Sequence, residues 1–134
     1  RKINNSVASF IVDKTIKLML EANKKITDAN ILIFGYTFKE NCADTRNTKV
    51  KDIVDGLLDC SCNVEIFDPY ISPSDDNNFI SLPFNRNVKY DAIIVAVAHN
   101  EFFEYSIDDY CNISNGKLVF LDIKGIYKES TWKL

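Results

Sequence analysis

At 134 residues the chain is long enough for one domain with a buried core and short for two. Its 46% hydrophobic and 26% charged residues are ordinary for a globular protein, and its net charge of -3 argues against a nucleic-acid backbone as main partner, which needs a basic face. No apolar run approaches the ~20 residues of a membrane helix, and no secretory leader is legible behind Arg1 and Lys2. The expectation is a cytoplasmic protein with neither a nucleic-acid nor a membrane partner. Cys42, Cys60, Cys62 and Cys111 are expected as reduced thiols. Cys60 and Cys62 lack a second close Cys or His pair, so no metal is expected.

In chain order, Asn4, Asn5 and Ser6 offer N-cap oxygens, and Val7, Phe10, Ile11 and Leu18 follow at helical spacing. Val12, Ile16, Met19 and Leu20 widen that apolar face, which predicts a helix over residues 6–23 buried on more than one side. A polar link, 24–30, leads into a strand over 31–36 that opens with the apolar run Ile31-Leu32-Ile33-Phe34. Val50, Ile53, Val54, Leu57 and Leu58 fall on one helical face and predict a helix over 47–60. Residues 63–68 alternate and stop at Pro69, as a second strand. Residues 70–87 hold two of the three prolines and read as a long loop with room for one short strand or turn. Residues 91–98 are near-continuously apolar, as in a central parallel strand. One or two short helices over 101–111, a last central strand over 117–122, and a turn at Gly125 before Trp132 complete the chain. Strands alternating with helices predict an α/β protein: a three-layer, Rossmann-like, mostly parallel sheet preceded by an N-terminal helix. Its central strands are 31–35, 92–97 and 118–122.

Such sheets bind ligands at the carboxyl ends of their strands. The segment from Gly35 to Lys49 joins the first strand to the second helix and carries Lys39 and Arg46. Backbone N–H groups and a helix dipole favour an anion there, so a phosphate-bearing ligand is the physical reading. The strand ends at Gly35-Tyr36, Asp68-Pro69, Ala98-His99 and Asp122-Ile123-Lys124 share this rim, where one ligand could meet Lys39, Arg46, His99 and Lys124. The plainer reading makes Lys39 and Arg46 solvated cations balancing Glu40 and Asp44. Cys42, between two cations, is either a reactive thiolate or a packed thiol. His99, the single histidine, reads as a loop-holding residue that hydrogen-bonds through its ring nitrogens. Asp68 reads as a turn and cap rather than a ribose-binding carboxylate. After Gly35 the next glycine is Gly56, and without glycines the backbone cannot approach a pyrophosphate. Phe102, Phe103 and Tyr105 are expected to pack against the sheet.

The stretch Phe38-Lys39-Glu40-Asn41-Cys42-Ala43-Asp44-Thr45-Arg46-Asn47-Thr48-Lys49-Val50 resembles the signature of the C-terminal, UDP-binding domain of the UDP-glucose/GDP-mannose dehydrogenase family, the nucleotide-sugar 6-dehydrogenases. Ile66-Phe67-Asp68-Pro69, Ala96-Val97-Ala98-His99-Asn100-Glu101-Phe102 and Leu121-Asp122-Ile123-Lys124-Gly125 agree in order. Ile3-Asn4-Asn5-Ser6-Val7 is similar to the end of the family's central helical segment, with Asn5 replacing an Asp. The resemblance implies that residues 1–24 end a central connecting helix and that 25–134 form the UDP-binding domain.

It also implies an NAD-dependent enzyme that oxidises the C6 alcohol of a UDP-sugar to a carboxylate for polysaccharide biosynthesis. NAD would be bound mainly by an N-terminal domain, and the nucleophilic cysteine and catalytic lysine would lie upstream. This chain would then hold no catalytic residue, Cys42 included, and would be inactive alone. Phe38, Lys39 and Lys124 would bind substrate, Lys39 at the phosphates, while Arg46 would reach the cofactor across an interdomain cleft. The implied partners are the UDP-sugar, the N-terminal and central domains of the same enzyme, and a second copy in a homodimer. The loop and the later Asp-x-Lys-Gly lean toward the branch acting on UDP-N-acetylhexosamines. The other reading is a free-standing Rossmann-like nucleotide-binding or regulatory module.

Overall fold

The computed structural model describes residues 6–37, 39–43, 49–73, 78–84, 87–127 and 132–133, with backbone alone at 6, 132 and 133. The apolar runs become strands and the periodic segments become helices. Helix α1 (Ser6–Glu21) precedes β1 (Asn30–Phe34), α2 (Val50–Asp59), β2 (Asn63–Phe67) and β3 (Phe79–Ile80). Then come β4 (Ala92–Val95), a 3-10 helix (Asn100–Glu104), α3 (Ile107–Asn112), β5 (Phe120–Asp122) and β6 (Trp132–Lys133). Among the described residues these strands form one sheet in the order β3-β2-β1-β4-β5-β6, with every neighbouring pair parallel. The chain therefore works outward from β1 to β3, then returns to the other side of β1 with β4. The reversal between β1 and β4 is the switch point where α/β sheets open a crevice.

The sheet is covered on both faces, because successive side chains of a strand point to opposite sides. Ile31 and Ile33 of β1 join Ile66, Ile94 and Leu121 under the helices α1 and α2. Leu32 and Phe34 join Ile93, Val95 and Phe120 under the 3-10 helix and α3, where Phe102 and Tyr110 fill the space. Right-handed crossovers explain this split: travelling in opposite directions from the switch point puts α2 and α3 on opposite faces. Each fully buried Ile, Leu or Phe contributes about 1.5–3 kcal/mol.

Some expectations need correcting. α1 buries one stripe, Ala8, Ile11, Val12, Thr15 and Met19, while Val7, Phe10 and Leu20 are exposed; a single neighbouring layer covers only one side of a helix. Leu58 is exposed as well, although Val50, Ile53, Val54 and Leu57 of α2 are buried as expected. α2 begins at Val50, and the earlier residues 47 and 48 lie outside the described residues, as do the N-cap candidates Asn4 and Asn5. The two-residue edge strand β6 was not anticipated.

Candidate functional site

β1 ends at Phe34, and the next residue must be glycine. Gly35 adopts φ +96°, and a Cβ there would lie 2.6 Å from the Cβ of Val97, which follows β4. Glycine lets the two chain segments that flank the switch point pass each other closely, which is a packing need and not a phosphate cradle. From here the chain turns through Tyr36 and Thr37 into the loop that carries Lys39.

A buried polar network sits beneath that loop. Asp68, immediately after β2, is 2% exposed. Its Oδ2 accepts from the backbone N–H groups of Tyr36 (2.7 Å) and Thr37 (3.1 Å), and its Oδ1 from that of Tyr70 (2.8 Å). His99, after β4, is 0% exposed, and its Nε2 lies 2.9 Å from Asp68 Oδ2 and 3.1 Å from Thr37 Oγ1. Burial alone would lift the Asp68 carboxyl. The hydrogen bonds from His99 and from the Tyr36 and Tyr70 amides outweigh it and hold the group below the ordinary carboxylate value. Both Asp68 oxygens are thus spent on the protein itself, so Asp68 is the turn and cap expected of it. His99 likewise serves the loop, and its complete burial corrects the expectation that it could meet a ligand.

Asn41 closes the arrangement. Its backbone N–H donates to His99 Nδ1 at 2.8 Å, and its side-chain Oδ1 accepts from the Asn100 N–H at 2.9 Å. It adopts φ +59°, a left-handed conformation that asparagine tolerates better than most residues. The Tyr70 ring lies over His99 with centroids 4.7 Å apart. Thr37, Asn41 and Tyr70 were not singled out from sequence. The one local signal was an asparagine in a loop, a residue suited to a left-handed turn.

Lys39 is exposed on this loop, and Lys124 is exposed after β5. Asp122, buried at the end of β5, accepts the N–H groups of Ile126 (3.1 Å) and Tyr127 (2.7 Å) and so folds the Lys124 turn back over the sheet. β5 lies two strands from β1. The strands that lead into the two lysine-bearing loops therefore end on one rim about 10 Å apart. Phe38 and Arg46 lie outside the described residues. Cys42 is a partly exposed free thiol eight positions before α2.

Beside the Lys124 turn is a groove of about 550 Å³ lined by Phe103, Tyr105, Ile107, Ile126 and Tyr127. Phe103 is 57% exposed along it, which corrects its expected packing on the sheet; its neighbour Phe102 takes that place, fully buried. A second groove, about 540 Å³, lies at the opposite rim among Lys24, Lys25, Asp28, Asp91 and Lys117. There Asp91 accepts from the Asn30 N–H and from Asn115, and its carbonyl accepts from Lys24. Burial lowers the Lys24 pKa against the pull of Asp91. Among the described residues, no group of three metal-ligating side chains occurs and no helix is long and apolar enough to cross a membrane.

Known proteins share this chain's sequence and shape. Residues 32–129 match the UDP binding domain of the UDP-glucose/GDP-mannose dehydrogenase family. A UDP-N-acetyl-D-glucosamine 6-dehydrogenase of Salmonella typhi is 35% identical over 92% of this chain and 30% of its own length. The Pseudomonas aeruginosa protein of the same name is 34% identical over 96% of this chain and 31% of its own length. The chain thus spans about a third of the length of these relatives. A solved structure, a UDP-D-ManNAc dehydrogenase from Pyrococcus horikoshii, shares the fold with a TM-score of 0.80 at 22% identity, over 94% of this chain and 30% of that one. The loop signature, the parallel sheet and the family match converge: the chain belongs to the UDP-glucose/GDP-mannose dehydrogenase family and corresponds to its UDP-binding domain.

Proposed function

We propose that this chain is the UDP-sugar-binding part of an NAD-dependent nucleotide-sugar 6-dehydrogenase. The whole enzyme would oxidise a sugar C6 alcohol to a carboxylate for polysaccharide biosynthesis in the cytoplasm. The observation that carries this reading is the match to the family's UDP-binding domain together with an exposed Lys39 at the switch-point rim. The names of the relatives and the loop sequence favour a UDP-N-acetylhexosamine as substrate. In this reading Phe38 and Lys39 hold the UDP diphosphate, Lys124 lies toward the sugar, and Arg46 reaches the cofactor. Residues 1–24 end a central connecting helix, 25–134 bind UDP, and the full enzyme is a homodimer.

The described residues do not fit a principal NAD site. Gly35 is spent on a close approach to Val97, and Asp68, the carboxylate a ribose would need, has its oxygens occupied within the fold. In this reading NAD is bound mainly by an N-terminal domain, and this chain alone should produce no NADH.

Calorimetric titration with UDP tests the reading. Lys39→Ala should weaken UDP binding by about 1.5–3 kcal/mol, the worth of a charge-assisted hydrogen bond. In the full enzyme the same change should chiefly raise KM for the UDP-sugar, whereas Arg46→Ala should chiefly impair NAD-dependent turnover. UDP binding that survives Lys39→Ala unchanged would make Lys39 a solvated surface charge.

A further inference from the structure

We propose that His99 is a positioning residue: its neutral imidazole, protonated on Nε2 alone, ties down the loop that presents Lys39, and ring protonation releases that loop. The hydrogen bonds dictate the tautomer. A backbone N–H can only donate, so the Asn41 N–H at 2.8 Å requires a bare Nδ1. The Thr37 hydroxyl donates to the Lys39 carbonyl at 3.0 Å, so its oxygen accepts, as does Asp68 Oδ2. Both acceptors face Nε2, which must carry the proton. One ring thus fixes the loop on each side of Lys39, at Thr37 and at Asn41.

Adding a proton to Nδ1 sets N–H against N–H. With His99 fully buried, water cannot mediate between the two donors, and the contact must open. Asn41 is the place to yield, because its φ of +59° needs support from its contacts. The titratable and charged groups around the ring come from several elements. Asp68 after β2 touches it, Tyr70 lies over it, and Glu101 of the 3-10 helix stands 3.4 Å from the Tyr70 hydroxyl; the loop itself brings exposed Lys39. Phe102 packs on the remaining side. The consequence for function, weaker holding of a diphosphate on acidification, rests on the reading of Lys39 given above; the loop coupling itself does not.

Amide-exchange and ring ¹⁵N spectra of the unmodified chain, without ligand, test the coupling. The ring should show its proton on Nε2, and Asn41 N–H protection should fall about tenfold or more as the ring titrates. His99→Gln keeps a donor near Nε2 and removes the acceptor, so Asn41 should lose protection at every pH. His99→Asn places a carbonyl oxygen near the Nδ1 position, so protection should persist and become independent of pH. A proton found on Nδ1, a ring that stays neutral to the acid limit of folding, or Asn41 protection indifferent to the ring's titration would overturn the proposal. UDP titration at the same pH values is the separate arm. Affinity should track Asn41 protection in the unmodified chain and stay flat in His99→Asn. A loop that responds while UDP affinity does not would remove the phosphate role of Lys39 and leave the positioning role standing.

Discussion

Asp68 gathers three backbone N–H groups and one imidazole N–H onto two oxygens, and this sets its response to acid. Its folded pKa is depressed, so the unfolded chain binds the proton more readily. The stabilisation is fully present above the unfolded value of about 3.9 and is lost as pH falls through the lower folded value. Urea midpoints should therefore drop across that acid window. Asp68→Asn should abolish this part of the pH dependence and cost about 1–3 kcal/mol at neutral pH, because an amide N–H₂ must face donors. Asp68 was legible as a cap because it ends an alternating strand before a proline. Its partners were not, because Tyr36, Thr37 and His99 reach it across more than thirty positions of chain. Local patterns carry no information about such contacts. Phe102 and Phe103 make the same point: adjacent aromatics have equal claims in sequence, and only the sheet decides which is buried.

At the level of elements, the strands buried on both faces were the most legible, since β1, β4 and β5 are apolar at nearly every position. β3 and β6 span two residues each, too short for any period to show. α1 was found with nearly correct bounds, but its buried side was overstated because an apolar residue names no partner. α3 is a short helix whose start depends on chemistry rather than on hydrophobic spacing. Ser106 and Asp109 form a reciprocal capping box, each side chain accepting the other's backbone N–H. With six residues the helix has little internal cooperativity to offset a lost cap. Ser106→Ala should cost about 1 kcal/mol, read as a shift in the urea midpoint at unchanged slope. The damage should concentrate in amide exchange of residues 107–112, with Tyr110 carrying it into the aromatic cluster beneath.

For the molecule as a whole, the parallel sheet followed from alternating strand and helix signals, whereas strand order did not. The sequence shows which segments are strands; crossover handedness and layer packing decide who neighbours whom. The family match spans residues 32–129, so it takes in the loop after β1 together with most of the sheet. The sheet order is also a timetable. Ribosomes deliver strands from β1 to β6, yet Ile31 of the central strand pairs with Ala92 of β4. At about 5–20 residues per second, β1 waits several seconds with one edge unpaired. During that interval Leu32 and Phe34 have no 3-10 helix or α3 to cover them. A nascent chain halted at residue 90 should therefore be protease-sensitive and bound by chaperones, whereas one released at full length should resist. The measurement is limited proteolysis of ribosome-arrested chains of increasing length, and resistance should appear in one late step after β5 emerges. By this central placement of β1, the domain should fold late and depend on protection while it is being made.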